Sequence, residues 1–154
     1  MALIHASCID VQGAAVLLRG APGSGKSDLA LRLLDGGARL VADDQVEIAA
    51  VRGELIASAP EALHGLLEVR GIGILRLPES RITPRARVGF VVDLGPGAVV
   101  PRLPEDTTCT IEGVILPLLV LAALEASTPA KIRLFAAGVE RISAVKRMPR
   151  SRRR

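Results

Sequence analysis

Residues 14–34 read AAVLLRGAPGSGKSDLALRLL. An apolar run over 14–18 leads into Gly20-Ala21-Pro22-Gly23-Ser24-Gly25-Lys26-Ser27, and a helical repeat of apolar residues follows. The eight central residues match G-x-x-x-x-G-K-[ST], a loop that cradles phosphate between a strand and a helix. Its three glycines let successive backbone N–H groups converge into a concave nest, and the positive end of the next helix adds to the pull on phosphate oxygens. In such a loop Lys26 reaches the β- and γ-phosphates of a nucleotide and the Ser27 hydroxyl reaches a metal, so ATP and Mg²⁺ are the cofactors expected.

Upstream of the loop, residues 9–12 and 14–18 read as two short strands around Gly13, a hairpin or bulge. Downstream, Leu29, Ala30, Leu33 and Leu34 form the apolar face of a helix over 26–34, which Gly36-Gly37 ends. Residues 39–42 follow as a short buried strand, then 46–51, then 55–57 beyond a turn at Arg52-Gly53-Glu54. Residues 88–94 form a strand closed by Gly95-Pro96-Gly97, and 107–115 an exposed strand or hairpin. Short helices are expected over 116–125 and over 129–137, the second begun by Pro129.

Asp43-Asp44 stands 17 and 18 positions beyond Lys26. In a strand–loop–helix–strand order the next strand usually runs parallel to the first and near it, so both carboxylates fall on the edge that carries the phosphate loop. Neighbouring strand residues point to opposite sides, which assigns them different tasks. One can hold Mg²⁺ and the other can accept a proton from an attacking hydroxyl. Asp93, at the end of Phe90-Val91-Val92, is a rival for the metal because an apolar strand ending in Asp is a common Mg²⁺ site beside phosphate loops. Glu68 and Arg70 lie in Glu-Val-Arg-Gly-Ile-Gly, where Glu68 offers a metal ligand and Arg70 a donor to phosphate. Taken alone that pair is better read as a surface salt bridge, and a lone histidine before a strand, His5, is more often structural.

Composition narrows the class. The chain has 154 residues, enough for one domain, and 49% of them are apolar. There are only two phenylalanines and no Trp or Tyr, so the core must be aliphatic. The net charge of +4 suggests nucleic acid until it is located along the chain. Six of the twenty cations lie in 146–154, which leaves fourteen positive against sixteen negative groups, net −2, in residues 1–145. The sequence thus divides into an ATP-binding catalytic domain over 1–145 and a basic, disordered tail over 146–154, with no nucleic acid expected since the tail has no aromatic residues for base stacking. Cys8 and Cys109 lack metal-ligand spacing. No signal peptide is visible, and no apolar stretch approaches the roughly 20 residues needed to span a bilayer. A reducing cytoplasm is the expected location.

Four ordered motifs together resemble one family. They are His5, the loop from Gly20 to Ser27, Val41-Ala42-Asp43-Asp44 with Val46-Glu47-Ile48 behind it, and Leu67-Glu68-Val69-Arg70-Gly71-Ile72-Gly73-Ile74. This set is similar to the HPr kinase/phosphorylases of bacterial sugar and nitrogen phosphotransfer systems, in a short form made of the C-terminal catalytic domain. The resemblance covers residues 3–77. It implies an α/β fold, a single phosphate-loop kinase domain with a mixed central sheet flanked by helices, of the HPr kinase/PEP carboxykinase kind. It also implies a protein-serine kinase acting on an HPr-like phosphocarrier protein. Lys26 would bind phosphates, Ser27 and Glu68 would hold magnesium, and His5 would belong to the active site. Asp44 would accept the serine proton, Asp43 would support the metal, and Arg70 is a further candidate. The reverse phosphorylase reaction could use the same acid. A homo-oligomer is left open, since the family's C-terminal Pro-Gly-Arg segment finds no match and Pro129-Ala130-Lys131-Ile132-Arg133 stands at that end. The family's N-terminal regulatory domain is expected to be absent, because His5 falls almost at Met1. A small-molecule kinase would need an Arg-rich lid and a later Asp-Gly-x-Pro-Arg type segment, and neither is present. A non-catalytic nucleotide sensor would have no use for the acidic set.

Overall fold

The computed structural model describes residues 1–96 and 99–142. The basic tail over 146–154, and Gly97 of the closing turn, lie outside the described residues. In chain order the elements are β1 (Ala2–His5), β2 (Ser7–Val11), β3 (Ala14–Arg19), α1 (Lys26–Asp35), β4 (Arg39–Ala42), β5 (Gln45–Val51) and β6 (Glu54–Ser58). The hairpin β7 (Leu66–Val69) and β8 (Gly73–Arg76) follows, then β9 (Arg85–Leu94), β10 (Thr108–Ile111), β11 (Val114–Leu121) and α2 (Thr128–Ala136). Among the described residues nine strands make one mixed sheet, β7–β8 stands apart and there are two α-helices, so the fold is α/β with a large mixed sheet, as expected.

Local chemistry builds the hairpins. Gln12-Gly13, Arg52-Gly53 and Glu112-Gly113 each close a two-residue connection, and both residues of every pair have positive φ. Such turns match the twist of the strands they join. They fix the registers Val11↔Ala14, Val51↔Glu54 and Ile111↔Val114.

The main sheet runs β1-β5-β6-β9-β3-β2-β4. β9 serves two partners along one side: residues 85–87 pair antiparallel with β6, and residues 91–94 pair parallel with β11. β3 lies parallel along its other side. The expectation for 39–42 holds in direction but not in adjacency. β2, joined to β3 by a two-residue turn, takes the place beside it, and β4 pairs antiparallel with the far edge of β2. A second correction concerns 116–125: β11 extends to Leu121, so most of the expected helix is strand. A continuous apolar run fits either state by periodicity, and pairing with β9 and β10 decides it here.

Each sheet face buries its own core. In β3, Val16 and Leu18 face one cluster, and Ala15 and Leu17 the other. A bulge at Gly89, where the register steps from Ala15↔Val88 to Val16↔Phe90, keeps β9 in phase with both. The first core takes Leu29, Ala30, Leu33 and Leu34 of α1 together with Ile132 of α2, so both helices share one face. On the other face the sheet curls over itself, and Val46, Ile48, Leu55 and Ala57 of β5 and β6 close on Cys8, Leu17 and Val91. Phe90 and Phe135 provide the aromatic contact, with ring centroids 4.8 Å apart. Cys8 is a free buried thiol whose pKa is pushed up by burial and, secondarily, by Asp10. Among the described residues no helix is long and apolar enough to cross a membrane.

The pairing pattern makes β3, β4, β9 and β11 run in one direction, so their carboxyl ends meet at one edge of the sheet. β2 brings its amino end to the same edge. In open α/β sheets such an edge is where ligands bind.

Candidate active site

At the end of β3 the chain enters the phosphate loop, and two glycines there answer to close packing. A Cβ on Gly20 would overlap Ser24 Oγ. Gly25, at φ 101°, caps α1, and a Cβ on it would come within 2.9 Å of Ala123 Cβ. Lys26, the first residue of α1, is buried, and its ammonium donates to the carbonyls of Gly20 at 2.8 Å and Ala21 at 3.3 Å. The charge is thereby held within the loop itself.

One residue on, the Ser27 hydroxyl donates to Asp43 Oδ1 at 3.0 Å. Asp43 is 9% exposed and gathers two more donors, Ser7 Oγ at 2.9 Å and the Glu68 backbone N–H at 3.3 Å. Ser7 is fully buried, and its oxygen also accepts the Asp44 backbone N–H at 3.2 Å. A single hydroxyl thus connects both members of the acidic pair. Asp44 occupies the apex of a three-residue turn closed by Gln45 N–H to Asp43 O at 2.8 Å, with φ 71°. A positive φ is strained for a residue with a Cβ, and such strain persists only where its surroundings enforce it. Here Ala6 N–H and His5 Nδ1 both reach the Asp44 carbonyl, at 3.2 and 2.9 Å. A carbonyl only accepts, so His5 carries a proton on Nδ1 and donates it there. The Asp44 side chain is 59% exposed, with one oxygen 3.4 Å from His5 Nδ1.

The two carboxylates therefore differ in kind: Asp43 is sunk among donors beside Ser27, and Asp44 faces outward. Glu68 comes to the site through its main chain, with its side chain exposed, and Arg70 is exposed at the turn between β7 and β8. The rival Asp93 is committed elsewhere. Directly opposite Arg19 in the parallel β3–β9 ladder, it accepts Nε at 2.7 Å and Nη2 at 3.1 Å in a two-pronged pair. That bonding holds the Arg19 guanidinium above its ordinary pKa. His64, which belongs to no motif, pairs with Glu79 at 3.1 Å.

Among the described residues no cluster of three or more His, Cys, Asp or Glu surrounds a metal position. A magnesium ion does not require one, since it keeps several waters and uses one or two carboxylates together with phosphate oxygens. The hard oxygen donors Ser27 and Asp43 suit that chemistry.

Comparison with known proteins follows the same geometry. The family described as HPr Serine kinase C-terminal domain matches residues 1–98. The chain belongs to that family. An HPr kinase/phosphorylase of Clostridium tetani is 41% identical over 95 residues, covering 59% of this chain and 31% of that protein. The HPr kinase/phosphorylase of Limosilactobacillus reuteri is 40% identical over 124 residues, covering 74% of this chain and 38% of that protein. The chain thus spans about a third of the length of the curated relatives it matches. Among solved structures, the Hpr(Ser) kinase/phosphatase from Coxiella burnetii superposes with a TM-score of 0.80 at 26% identity, covering 90% of this chain and 95% of that one. Its agreement supports the fold of this HPr Serine kinase C-terminal domain well beyond the four motifs that suggested it.

Sequence reasoning missed Ser7. It belongs to no motif, a lone hydroxyl between Ala6 and Cys8.

Proposed function

We propose that the domain is a Mg²⁺-dependent ATP:protein-serine kinase whose acceptor is an HPr-like phosphocarrier protein of a bacterial phosphotransferase system, working in the cytoplasm. The observation that carries this reading is the continuous set of contacts from Ser27 through Asp43 and Ser7 to Asp44 at the mouth of the phosphate loop. A nucleotide-binding module needs the first of these groups; a kinase also needs an exposed base one residue away.

The loop amides and Lys26 neutralise and orient the phosphates, which is the main contribution a protein makes to phosphoryl transfer. Ser27 and Asp43 would hold Mg²⁺, with Glu68 able to join from the neighbouring strand. The ion, when bound, offsets charge developing on the transferred group. Asp44 takes the proton of the acceptor serine as its oxygen attacks the γ-phosphorus and the bond to the β-phosphate oxygen breaks. His5 holds the backbone of Asp44 and so aims the base. In the reverse direction phosphate attacks phosphoserine, pyrophosphate forms, and Asp44 returns the proton to the serine oxygen. A protein acceptor is supported by the exposure of Asp44 and by Ile72 and Ile74, each 71% exposed on the hairpin whose other strand meets Asp43. Arg70, beside them, would contact an acidic or phosphorylated acceptor.

The test is transfer of label from γ-labelled ATP to HPr-like carriers, with and without EDTA, using a carrier whose acceptor serine is changed to alanine as the blank. Metal-dependent label on the serine is expected. No label on any carrier, while a full-length relative labels the same carriers, would refute the proposal.

A further inference from the structure

A groove of about 280 Å³ lies along β11 and shares no residue with the phosphate loop. It is lined by four consecutive strand residues, Leu118 to Leu121, and by the segment that holds Pro101 and Pro104. The main chain there is only half used. On one side β11 pairs parallel with β9, and the Leu121 carbonyl continues that ladder by accepting Gly95 N–H at 3.0 Å. On the other side β10 ends its pairing at Thr108↔Pro117, and one step beyond Leu118 N–H reaches Thr107 O at 2.9 Å. Alternate residues of a strand turn their N–H and C=O to opposite sides. Leu121 faces β9 and Leu118 faces away from it, so the Val120 main chain also faces away, on the side of the groove. Among the described residues no backbone group pairs with it there. A sheet edge left in this state is a template for another strand. The neighbouring segment of the same chain is a poor candidate, because Pro101 and Pro104 have no N–H to give and a ladder does not run through them.

Charge narrows the choice of strand. Three cations line the groove, Arg102, Lys131 and Arg141, against one carboxylate, Glu105. Lys131 pairs with Glu125 at 2.9 Å and Arg141 with Asp106, and both of those acids lie outside the lining. Arg102 is exposed and has no acidic partner among the described residues. The Arg141 guanidinium also lies over Phe135, 5.9 Å from the ring centroid, which helps to hold it at the groove. A positive lining favours a strand that carries carboxylates. Residues 146–154 of this chain hold six cations and no acidic side chain, and so have the wrong sign.

We propose that this groove is a docking site for an extended, acidic segment of a partner protein, which adds as a strand to the free edge of β11 through Val120 and sets its carboxylates against Arg102, Lys131 and Arg141. Residues between the carboxylates point to the other face of such a strand, where the aliphatic side chains of β11 and the two prolines receive them. Docking there needs no nucleotide.

Two-dimensional NMR of the ¹⁵N-labelled full chain, titrated with acetyl-Glu-Val-Glu-Val-Glu-amide, reads the contact at the Val120 amide. Saturable movement and slowed hydrogen exchange of that amide are expected, and the Lys-Val-Lys-Val-Lys counterpart should bind about tenfold or more weakly. Strand addition has a signature that general attraction of charge lacks. Of two acidic peptides N-methylated on alternate residues, one in each register, one should lose about tenfold or more in affinity and the other little, since only one side of the added strand bonds to β11. Arg102→Glu, at an exposed side chain, should weaken the acidic peptide and strengthen the basic one. No saturable binding, equal binding of the acidic and basic peptides, or equal loss with both methylated peptides overturns the inference. A Val120 amide already protected in the free chain overturns it as well: constant protection would place the chain's own C-terminal residues in the groove, and protection rising with protein concentration would place a second copy there.

Discussion

Ser7 is a small residue with two obligations: its hydroxyl donates to Asp43 and accepts from the Asp44 N–H. Removing it strips one donor from a buried carboxylate and leaves a backbone N–H without its acceptor. Ser7→Ala should cost about 1–2 kcal/mol on the scale of a buried hydrogen-bond network, measurable by urea denaturation. If Ser7 positions the acids, kcat should fall more than KM for ATP rises; unchanged kcat in the folded variant would reduce Ser7 to a structural role. The two acids that competed in the sequence separate by the same logic. Asp44→Asn should lower phosphotransfer by about 10²–10⁴, the usual range for loss of a general base. Asp93→Asn should stay within a few-fold of wild type, because its partner is Arg19. Loss of that half-exposed pair should cost about 1 kcal/mol or less. Strong loss of Mg²⁺-dependent turnover from the Asp93 variant alone would reverse the assignment. The acidic pair was legible because its distance from Lys26 limits where a following strand can end. Ser7 was not, because a hydroxyl among apolar residues leaves no spacing signature.

Elements differ in how far sequence determines them. In α1 the expected apolar face, Leu29, Ala30, Leu33 and Leu34, is buried, because a strongly amphipathic repeat has one way to meet a sheet. Leu33→Ala should therefore cost about 2–5 kcal/mol, whereas Leu31→Ala, at a side chain 39% exposed, should cost well under 1. Equilibrium unfolding of the two variants checks the contrast; equal costs would mean α1 is anchored some other way. β11 was hidden by its own uniformity. Val114-Ile115-Leu116-Pro117-Leu118-Leu119-Val120-Leu121 is apolar without a period, and only its partners on both sides make it a strand. β4 was legible as a strand and in direction, but its place beyond β2 depends on a hairpin competing for the edge of β3, which is a property of the whole sheet.

At the scale of the molecule, the candidate site belongs to no single element. His5 and Ser7 come from the first strands, the loop from the end of β3, the acids from the end of β4, Glu68 from a separate hairpin, and Ala123, just beyond β11, packs against Gly25 of the loop. Side chains far apart in sequence are thus brought to one edge of the sheet, and a ligand there binds only when both cores hold their strands in register. Binding to the folded state alone stabilises by RT ln(1 + [L]/Kd), about 2.7 kcal/mol at a hundredfold excess over Kd. For a domain of 154 residues this corresponds to a rise in Tm of roughly 5–10 °C. Mg²⁺-ATP should produce that shift in a thermal melt of the wild-type chain. Lys26→Ala should abolish it by removing the phosphate contact. Asp44→Asn should keep it in full, because an outward-facing base acts on the acceptor and not on the nucleotide. Loss of the shift in the Asp44 variant would place that carboxylate in nucleotide binding and leave the proton transfer without its acceptor.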